Sequence, residues 1–233
     1  MADPAFRPAL LVVDMQEDFC PPNGALAVHE GRDIVPLINE LLALPSTTFP
    51  LKIATKDWHP LDHISFAANH DGDGEGGKKR AFLDTTVVTN PHNPSEWYET
   101  RLWPVHCVQS TPGAELVPEL DTSQLTHTIE KGTDPRVEMY SAFYDPLNNP
   151  RVSDSGLASL LHAHSITHVY VVGLAADYCV RCTAEDAARE GFASYIIEEG
   201  TRAVDPAAWE GCKRKLEEAG VKIVGWEGPE VNI

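Results

Sequence analysis

The apolar positions begin as a short continuous run, Ala9-Leu10-Leu11-Val12-Val13, that stops at Asp14. A run without alternation is the pattern of a strand covered on both faces, as in a parallel sheet. Apolar residues then recur at Ile34, Leu37, Ile38, Leu41 and Leu42 as one stripe of a helix, and Pro36 is tolerable there because it falls near the first turn. Leu51-Lys52-Ile53-Ala54-Thr55 predicts a second strand, followed at once by Asp57-Trp58-His59-Pro60. Leu125 to Glu130 alternates weakly, predicting a further strand that delivers Lys131. A helix is predicted from Ser153, with Leu157, Leu160, Leu161 and His164 on one side. His168 to Val172 carries the strongest strand signal, being β-branched and aromatic. Gly173 to Ala176 then turns into a helix bearing Val180, Ala184, Ala187 and Ala188, closed by Gly191, with Cys179 near its N-terminus. A strand at Tyr195 to Ile197, a helix around Trp209 to Glu218 closed by Gly220, and a strand at Val221 to Val224 complete the alternation. With no internal repeat and no linker, the pattern predicts one α/β domain over residues 1–233 with a mostly parallel sheet.

The periodicity fails from Leu61 to about Gln124, where Gly72, Gly74, Gly76 and Gly77 are joined by Pro91, Pro94, Pro104 and Pro112. An excursion of this length in a compact domain is usually functional or disordered. Asp71-Gly72-Asp73-Gly74-Glu75-Gly76 imitates the start of a calcium loop, but its twelfth position is Phe82, where a bidentate Glu is needed. It reads as a solvated loop.

Charge and cysteine content narrow the function classes. The formal net charge of −17 repels phosphate backbones and anionic membranes, which argues against nucleic acid or a membrane surface as partner. Five cysteines, an odd number in a chain of 233 residues, suit free thiols in a reducing compartment better than a disulfide framework. No segment approaches the ~20 consecutive apolar residues of a bilayer span.

Ligands of open parallel sheets bind outside the carboxyl ends of the strands. Asp14, Asp57, Lys131 and Cys179 each follow a predicted strand, so a sheet that sets those strands side by side gathers all four on one rim. Any one of them alone could simply mark where water begins. Cys179 is the natural nucleophile, because a helix N-terminus and a neighbouring Lys both favour the thiolate. Asp14 could take the thiol proton and return it to a leaving amine, and Lys131 would stabilise both anions. Cys20, Cys107 and Cys212 are assigned the commoner role of small buried hydrophobes. Cys179 and Cys182 also spell C-x-x-C, so a thiol–disulfide exchanger is the competing reading from another class.

Asp57 and His59 lie two residues apart and in extended backbone point to the same side. His106 could add a third ligand from the far end of the long loop, leaving positions open for water or substrate, and His63 is a candidate fourth ligand or neighbouring donor. His29, His70, His92, His127, His162, His164 and His168 are assigned structural roles. Phe19 and Trp103 lie near these segments and are candidates for a slot that takes a flat substrate, core packing being the rival role.

At these residues the sequence resembles the nicotinamidases of the isochorismatase-like hydrolase family, and looks similar to the fungal type. The resemblance runs from Ala9 to about Val224. It rests on Val13 to Phe19 (VDMQEDF), Thr55 to Phe66 (TKDWHPLDHISF), Leu102 to Cys107 (LWPVHC), Glu130 to Gly132 (EKG) and Gly173 to Val180 (GLAADYCV). It implies a three-layer α/β/α fold with a mostly parallel central sheet and a long metal-site loop at about 57–124. It also implies a catalytic triad of Asp14, Lys131 and Cys179 and a metal held by Asp57, His59 and His106. Zinc is the first choice of ion, with iron and manganese as alternatives, and no organic cofactor is implied. A cis peptide at Leu174–Ala175 and an oxyanion hole formed by the N–H groups of Ala175 and Cys179 are further implications. The reaction implied is hydrolysis of nicotinamide to nicotinate and ammonia through a cysteine thioester, with the ring between Phe19 and Trp103, serving salvage of NAD. Pyrazinamide is the implied side substrate, and a related hydrolase of another small carboxamide is the near rival. The expected location is the cytoplasm, with a nuclear fraction open. Val231-Asn232-Ile233 is no peroxisomal address. Assembly into a homo-oligomer is left open.

Overall fold

Strand β1, Pro8–Val13, has all six residues buried, as its unbroken apolar run requires. Its side chains alternate between two cores. Leu10 and Val12 belong to one, with Ile38, Leu41 and Leu42 of helix α1, Val35–Ala43. Ala9, Leu11 and Val13 belong to the other, with residues of α2, Leu157–Ala163, α3, Arg181–Arg189, and α4, Pro206–Glu218. A strand covered on both faces has no polar side to show, which is why its sequence lacks alternation. These are features of the computed structural model, which describes residues 6–72, 77–229 and 231.

Strand β2 is Leu51–Asp57. The excursion holds β3, Thr85–Asn90, and β4, Asn93–Arg101, and the remaining strands are β5, His127–Lys131, β6, His168–Leu174, β7, Ala193–Arg202, and β8, Val221–Val224. Six strands form one sheet in the order β5-β2-β1-β6-β7-β8, every neighbouring pair parallel. The three-layer α/β/α arrangement is therefore present, with α1 on one face and α2, α3 and α4 on the other. From β1 the chain proceeds outward through β2 in one direction and through β6 in the other. The carboxyl ends of β1 and β6, paired at Val13 and Gly173, thus meet where the order reverses.

Three local expectations are corrected. The excursion is not structureless, since β3 and β4 form a separate antiparallel hairpin. Its residues Thr85 to Thr89, Trp97 and Tyr98 have good strand character. Pro91 and Pro94 masked it, although one lies in the turn and the other near the start of a strand, where a missing N–H is tolerated. The helix predicted from Ser153 begins at Leu157, because Asp145 draws the N–H groups of Val152 and Ser153 into a loop. Strand β2 runs on to Asp57, so this residue ends the strand rather than following it. Of the glycine-rich stretch, residues 73–76 lie outside the described residues. Across them Asp71 pairs with Lys78 at 2.8 Å. Among the described residues, no helix is long and apolar enough to cross a membrane.

Candidate active site

The four strand-end residues converge. Asp57 and Lys131 are register partners at the ends of β2 and β5. Asp14 follows β1 in a left-handed conformation, φ 49°, and is wholly buried. Lys131 Nζ, wholly shielded from solvent, lies 3.0 Å from Asp14 Oδ2, 2.5 Å from Asp57 Oδ1 and 3.5 Å from Cys179 Sγ. The oxygens of Asp14 and Asp57 and the sulfur of Cys179 all lie within 4.8 Å of one another. Thr55 secures Asp14 by donating its hydroxyl to Oδ1 at 2.5 Å. Gln16 secures Asp57, accepting its N–H at 2.8 Å and donating to its carbonyl at 2.8 Å.

Burial and charge set the protonation states. Burial pushes the Asp14 carboxyl up to about 6, with Lys131 pulling it back. Asp57 is held well below the ordinary carboxylate range, since Lys131 and His59 together outweigh its burial. Burial also pushes the Cys179 thiol well above its usual range, reinforced by Asp14 and Asp57, and Lys131 only partly offsets this. This reverses the expectation of a depressed thiol. The cation is there, but its charge is already engaged by two carboxylates, and Cys179 lies in a buried π-helical turn, Ala176–Val180, that precedes α3.

Asp57, His59 and His106 form a second, contiguous group. His59 Nε2 lies 3.4 Å and His106 Nε2 3.9 Å from Asp57 Oδ2, and all three side chains are nearly inaccessible. The Nδ1 atoms of His59 and His106 face the carbonyl oxygens of Gly132 and Pro104, each at 2.8 Å. A carbonyl can only accept, so both Nδ1 atoms carry a proton; against the pull of burial Asp57 favours a second proton on His59, and a cation bound at Nε2 would take that proton's place. The buried Nε2 of His59 has no hydrogen-bond partner among the described residues. An orphaned imidazole nitrogen beside a carboxylate and a second imidazole fits a divalent ion of the kind His and Asp bind. Gly132 is required here: its φ is +64°, and a Cβ would come within 2.4 Å of the His59 ring. His63 stacks on His59 at 4.0 Å, but it accepts from Ser65 Oγ and donates to the Val137 carbonyl, leaving neither ring nitrogen for an ion. Burial and the adjacent His59 push His63 down to about 2.

One narrow cavity joins the two groups, with about 20 Å³ open to the centres of water molecules. Cys179, Ala175, Asp57 and His106 all line it, and Phe19, Trp103, Tyr178, Leu26 and Val204 supply apolar walls. Larger hollows of about 610 and 480 Å³ open elsewhere on the surface, but neither reaches Cys179. Convergent chemistry rather than size therefore marks the site. Both predicted slot residues lie on this cavity, Phe19 with its ring 5.4 Å from that of His106 and Trp103 edge-on to Tyr178 at 4.9 Å. The Leu174–Ala175 peptide is cis.

A family model of the isochorismatase domain matches residues 8–228. The chain belongs to the isochorismatase family. The nicotinamidase of Acinetobacter baylyi is 42% identical over 197 residues, which cover 84% of this chain and 82% of that protein. The crystal structure of the yeast nicotinamidase Pnc1p bound to the inhibitor nicotinaldehyde superposes with a TM-score of 0.84 at 32% identity, over 94% of this chain and 99% of that one. The crystal structure of the pyrazinamidase of Pyrococcus horikoshii in complex with zinc has a TM-score of 0.70 at 35% identity, over 94% and 99%.

In this member of the isochorismatase family several cavity residues escaped the sequence reading. Glu138 and Tyr140 come from the loop after β5, which has no periodicity. Glu138 is buried, accepts the Met139 N–H at 2.9 Å, and is pushed up in pKa by that burial. The Tyr140 hydroxyl receives the Trp103 indole N–H at 2.9 Å and lies 3.0 Å from Thr100 Oγ1, so the hairpin helps to hold the Trp103 wall. Tyr178 could have been found, being adjacent to Cys179. Cys182 lines a different hollow, beside Tyr144 and Arg189. Cys182→Ser is therefore expected to leave ammonia release within about twofold of wild type, as for a change outside the reacting atoms, whereas a dithiol exchanger would lose its activity.

Proposed function

We propose that this protein hydrolyses nicotinamide to nicotinate and ammonia, with pyrazinamide as a second substrate, and that it returns nicotinate to the synthesis of NAD. The observation that carries the reading is the meeting of Lys131 Nζ with Asp14 at 3.0 Å and Cys179 Sγ at 3.5 Å, beside the Asp57, His59 and His106 donors of the same cavity. The activities named for its relatives support it.

The ring enters between Phe19 and Trp103 and presents its carboxamide carbon to Cys179. Asp14 takes the thiol proton as sulfur attacks, and Lys131 holds the anionic charge near both groups. The backbone N–H groups of Ala175 and Cys179 receive the carboxamide oxygen as it becomes an oxyanion. Asp14 then gives its proton to the departing nitrogen, so that ammonia leaves and a nicotinoyl thioester remains. A water molecule, deprotonated by Asp14, attacks the thioester carbonyl. Nicotinate departs, and the sulfur recovers its proton. Asp57, His59 and His106 would hold a divalent ion, zinc first and iron or manganese as alternatives, which supplies a Lewis acid for the ring nitrogen of the substrate.

Purified protein should release ammonia and nicotinate from nicotinamide in equal amounts and contain one divalent ion per chain. Removal of that ion by chelation should lower the rate, and zinc should restore it. Metal-replete protein that releases no ammonia from nicotinamide overturns the proposal.

A pH dependence follows from Asp14. The carboxyl must be ionised to accept the thiol proton, and burial sets its titration at about 6. Below that value kcat/KM should fall about tenfold per pH unit, as for a single required base, and rise to a plateau above it. A profile flat down to pH 4.5 would exclude Asp14 as the base.

A further inference from the structure

Asp18 takes no part in the chemistry above, yet three segments of the site cross at its side chain. It immediately precedes Phe19, and its Oδ2 accepts the backbone N–H of Cys107 at 2.7 Å across 89 positions of sequence. Cys107 follows His106 and has a left-handed backbone, φ 45°, which is uncommon for a residue with a side chain. The carbonyl of Cys107 in turn accepts the N–H of His59 at 3.0 Å. The residue next to one imidazole donor is thus tied at its N–H to Asp18 and at its C=O to the other imidazole donor. The carbonyl of Asp18 accepts the N–H of Leu26, a further wall of the cavity, at 2.9 Å.

The third segment is the turn at Gly113. A Cβ at this position would lie 2.2 Å from Asp18 Oδ2, so the carboxylate occupies the space a side chain would fill. A carboxylate bound to a backbone N–H is a charge-assisted hydrogen bond, stronger and more directional than a neutral one. Phe19 closes a single 3-10 turn, Glu17–Phe19, and His106 lies in a loop without regular structure, so their separation depends on such ties.

We propose that Asp18 is a positioning residue that locks the Phe19 wall of the substrate slot to the His59 and His106 donors. The inference rests on the functional reading above and adds to it a coupling between slot and ion. Loss of the lock loosens both at once, while Asp14 and Lys131, at the ends of β1 and β5, and Cys179, in the turn before α3, keep their places.

The test is zinc titration of metal-free protein, by calorimetry, together with steady-state kinetics on nicotinamide at saturating zinc. Asp18→Ala should weaken zinc binding about 10- to 100-fold, the range for losing a partner that orients a metal ligand. It should also raise KM for nicotinamide with a much smaller change in kcat, the sign of lost binding rather than lost chemistry. Asp18→Asn, which keeps a carbonyl acceptor, should recover most of both. Gly113→Ala, which displaces the carboxylate, should reproduce Asp18→Ala, and the double variant should be no worse than Asp18→Ala alone, because both remove one interaction. A simple loop staple would lower the melting temperature without moving the zinc affinity. Folded Asp18→Ala or Gly113→Ala protein with zinc affinity and KM within twofold of wild type overturns the lock, as does strict additivity of the two changes. Should Asp18→Ala fail to fold, Asp18→Asn and Gly113→Ala carry the same comparison. Wild-type protein that neither binds zinc nor hydrolyses nicotinamide overturns both readings, whereas a wild type that does both beside an unaltered Asp18→Ala overturns the lock alone.

Discussion

Cys179→Ala protein is expected to release ammonia from nicotinamide no faster than background, a loss on the order of 10⁴-fold or more in kcat, as for removal of a covalent nucleophile. No other sulfur can take its place. Cys182 faces another hollow, Cys20 and Cys107 are packed in the core, and Cys212 lies against the helical layer. Burial holds the Cys179 thiol protonated, so sulfur becomes nucleophilic only when Asp14 takes its proton. Removal of sulfur therefore ends catalysis without disturbing the donors at Asp57, His59 and His106, and zinc should bind the variant as it binds wild type. Wild-type protein quenched with acid during turnover should carry the nicotinoyl mass on the peptide containing residue 179, and the variant should not. An active Cys179→Ala protein would remove the thioester mechanism altogether.

Lys131→Met should abolish activity and destabilise the metal-free fold as well. The ammonium is the cation that Asp14 and Asp57 share, at 3.0 and 2.5 Å, and both carboxyls are buried. Removing one partner of a buried ion pair leaves uncompensated charge and costs about 3–5 kcal/mol. For a chain of this size that corresponds to a fall in Tm of roughly 6–20 °C. The sign of the pH dependence follows from Asp14. Its pKa, already raised by burial, loses the pull of Lys131 and rises further in the variant. A carboxyl whose folded pKa exceeds its unfolded value costs stability progressively as pH rises above the unfolded value. The deficit relative to wild type should thus be larger at pH 8 than at pH 5, measured by paired thermal melts of metal-free protein. Equal deficits at the two pH values would mean that the carboxyls are compensated by something other than this ammonium.

The rim was legible in the chain because parallel strands buried on both faces must be apolar throughout. A polar residue directly after such a run therefore marks the end of the strand, as at Asp14, whereas β5 is largely exposed and Lys131 ends a weakly alternating segment. The parts that were not legible are those whose partners lie far away in sequence. Glu138 and Tyr140 belong to a loop with no period, and they become cavity residues only because β4 supplies Tyr98 and Thr100 to hold them. The hairpin itself was hidden by two prolines that its turn and strand start accommodate. The thiol was misjudged for a different reason. A neighbouring cation can be counted from sequence, but the two carboxylates that share its charge, and the depth of burial, cannot.

Local pattern by itself determined that the chain is an α/β domain, that four reactive groups stand at strand exits, and which histidines accompany a carboxylate. Tertiary structure alone decided the strand order β5-β2-β1-β6-β7-β8, which sets Asp57 beside Lys131 and brings β1 against β6. It likewise fixed the tautomers of His59 and His106 through the carbonyls of Gly132 and Pro104. Periodicity reports how deeply each residue is buried within its own element. Which elements become neighbours depends on contacts between residues tens of positions apart, and the electrostatics of a buried site depend on every one of those neighbours.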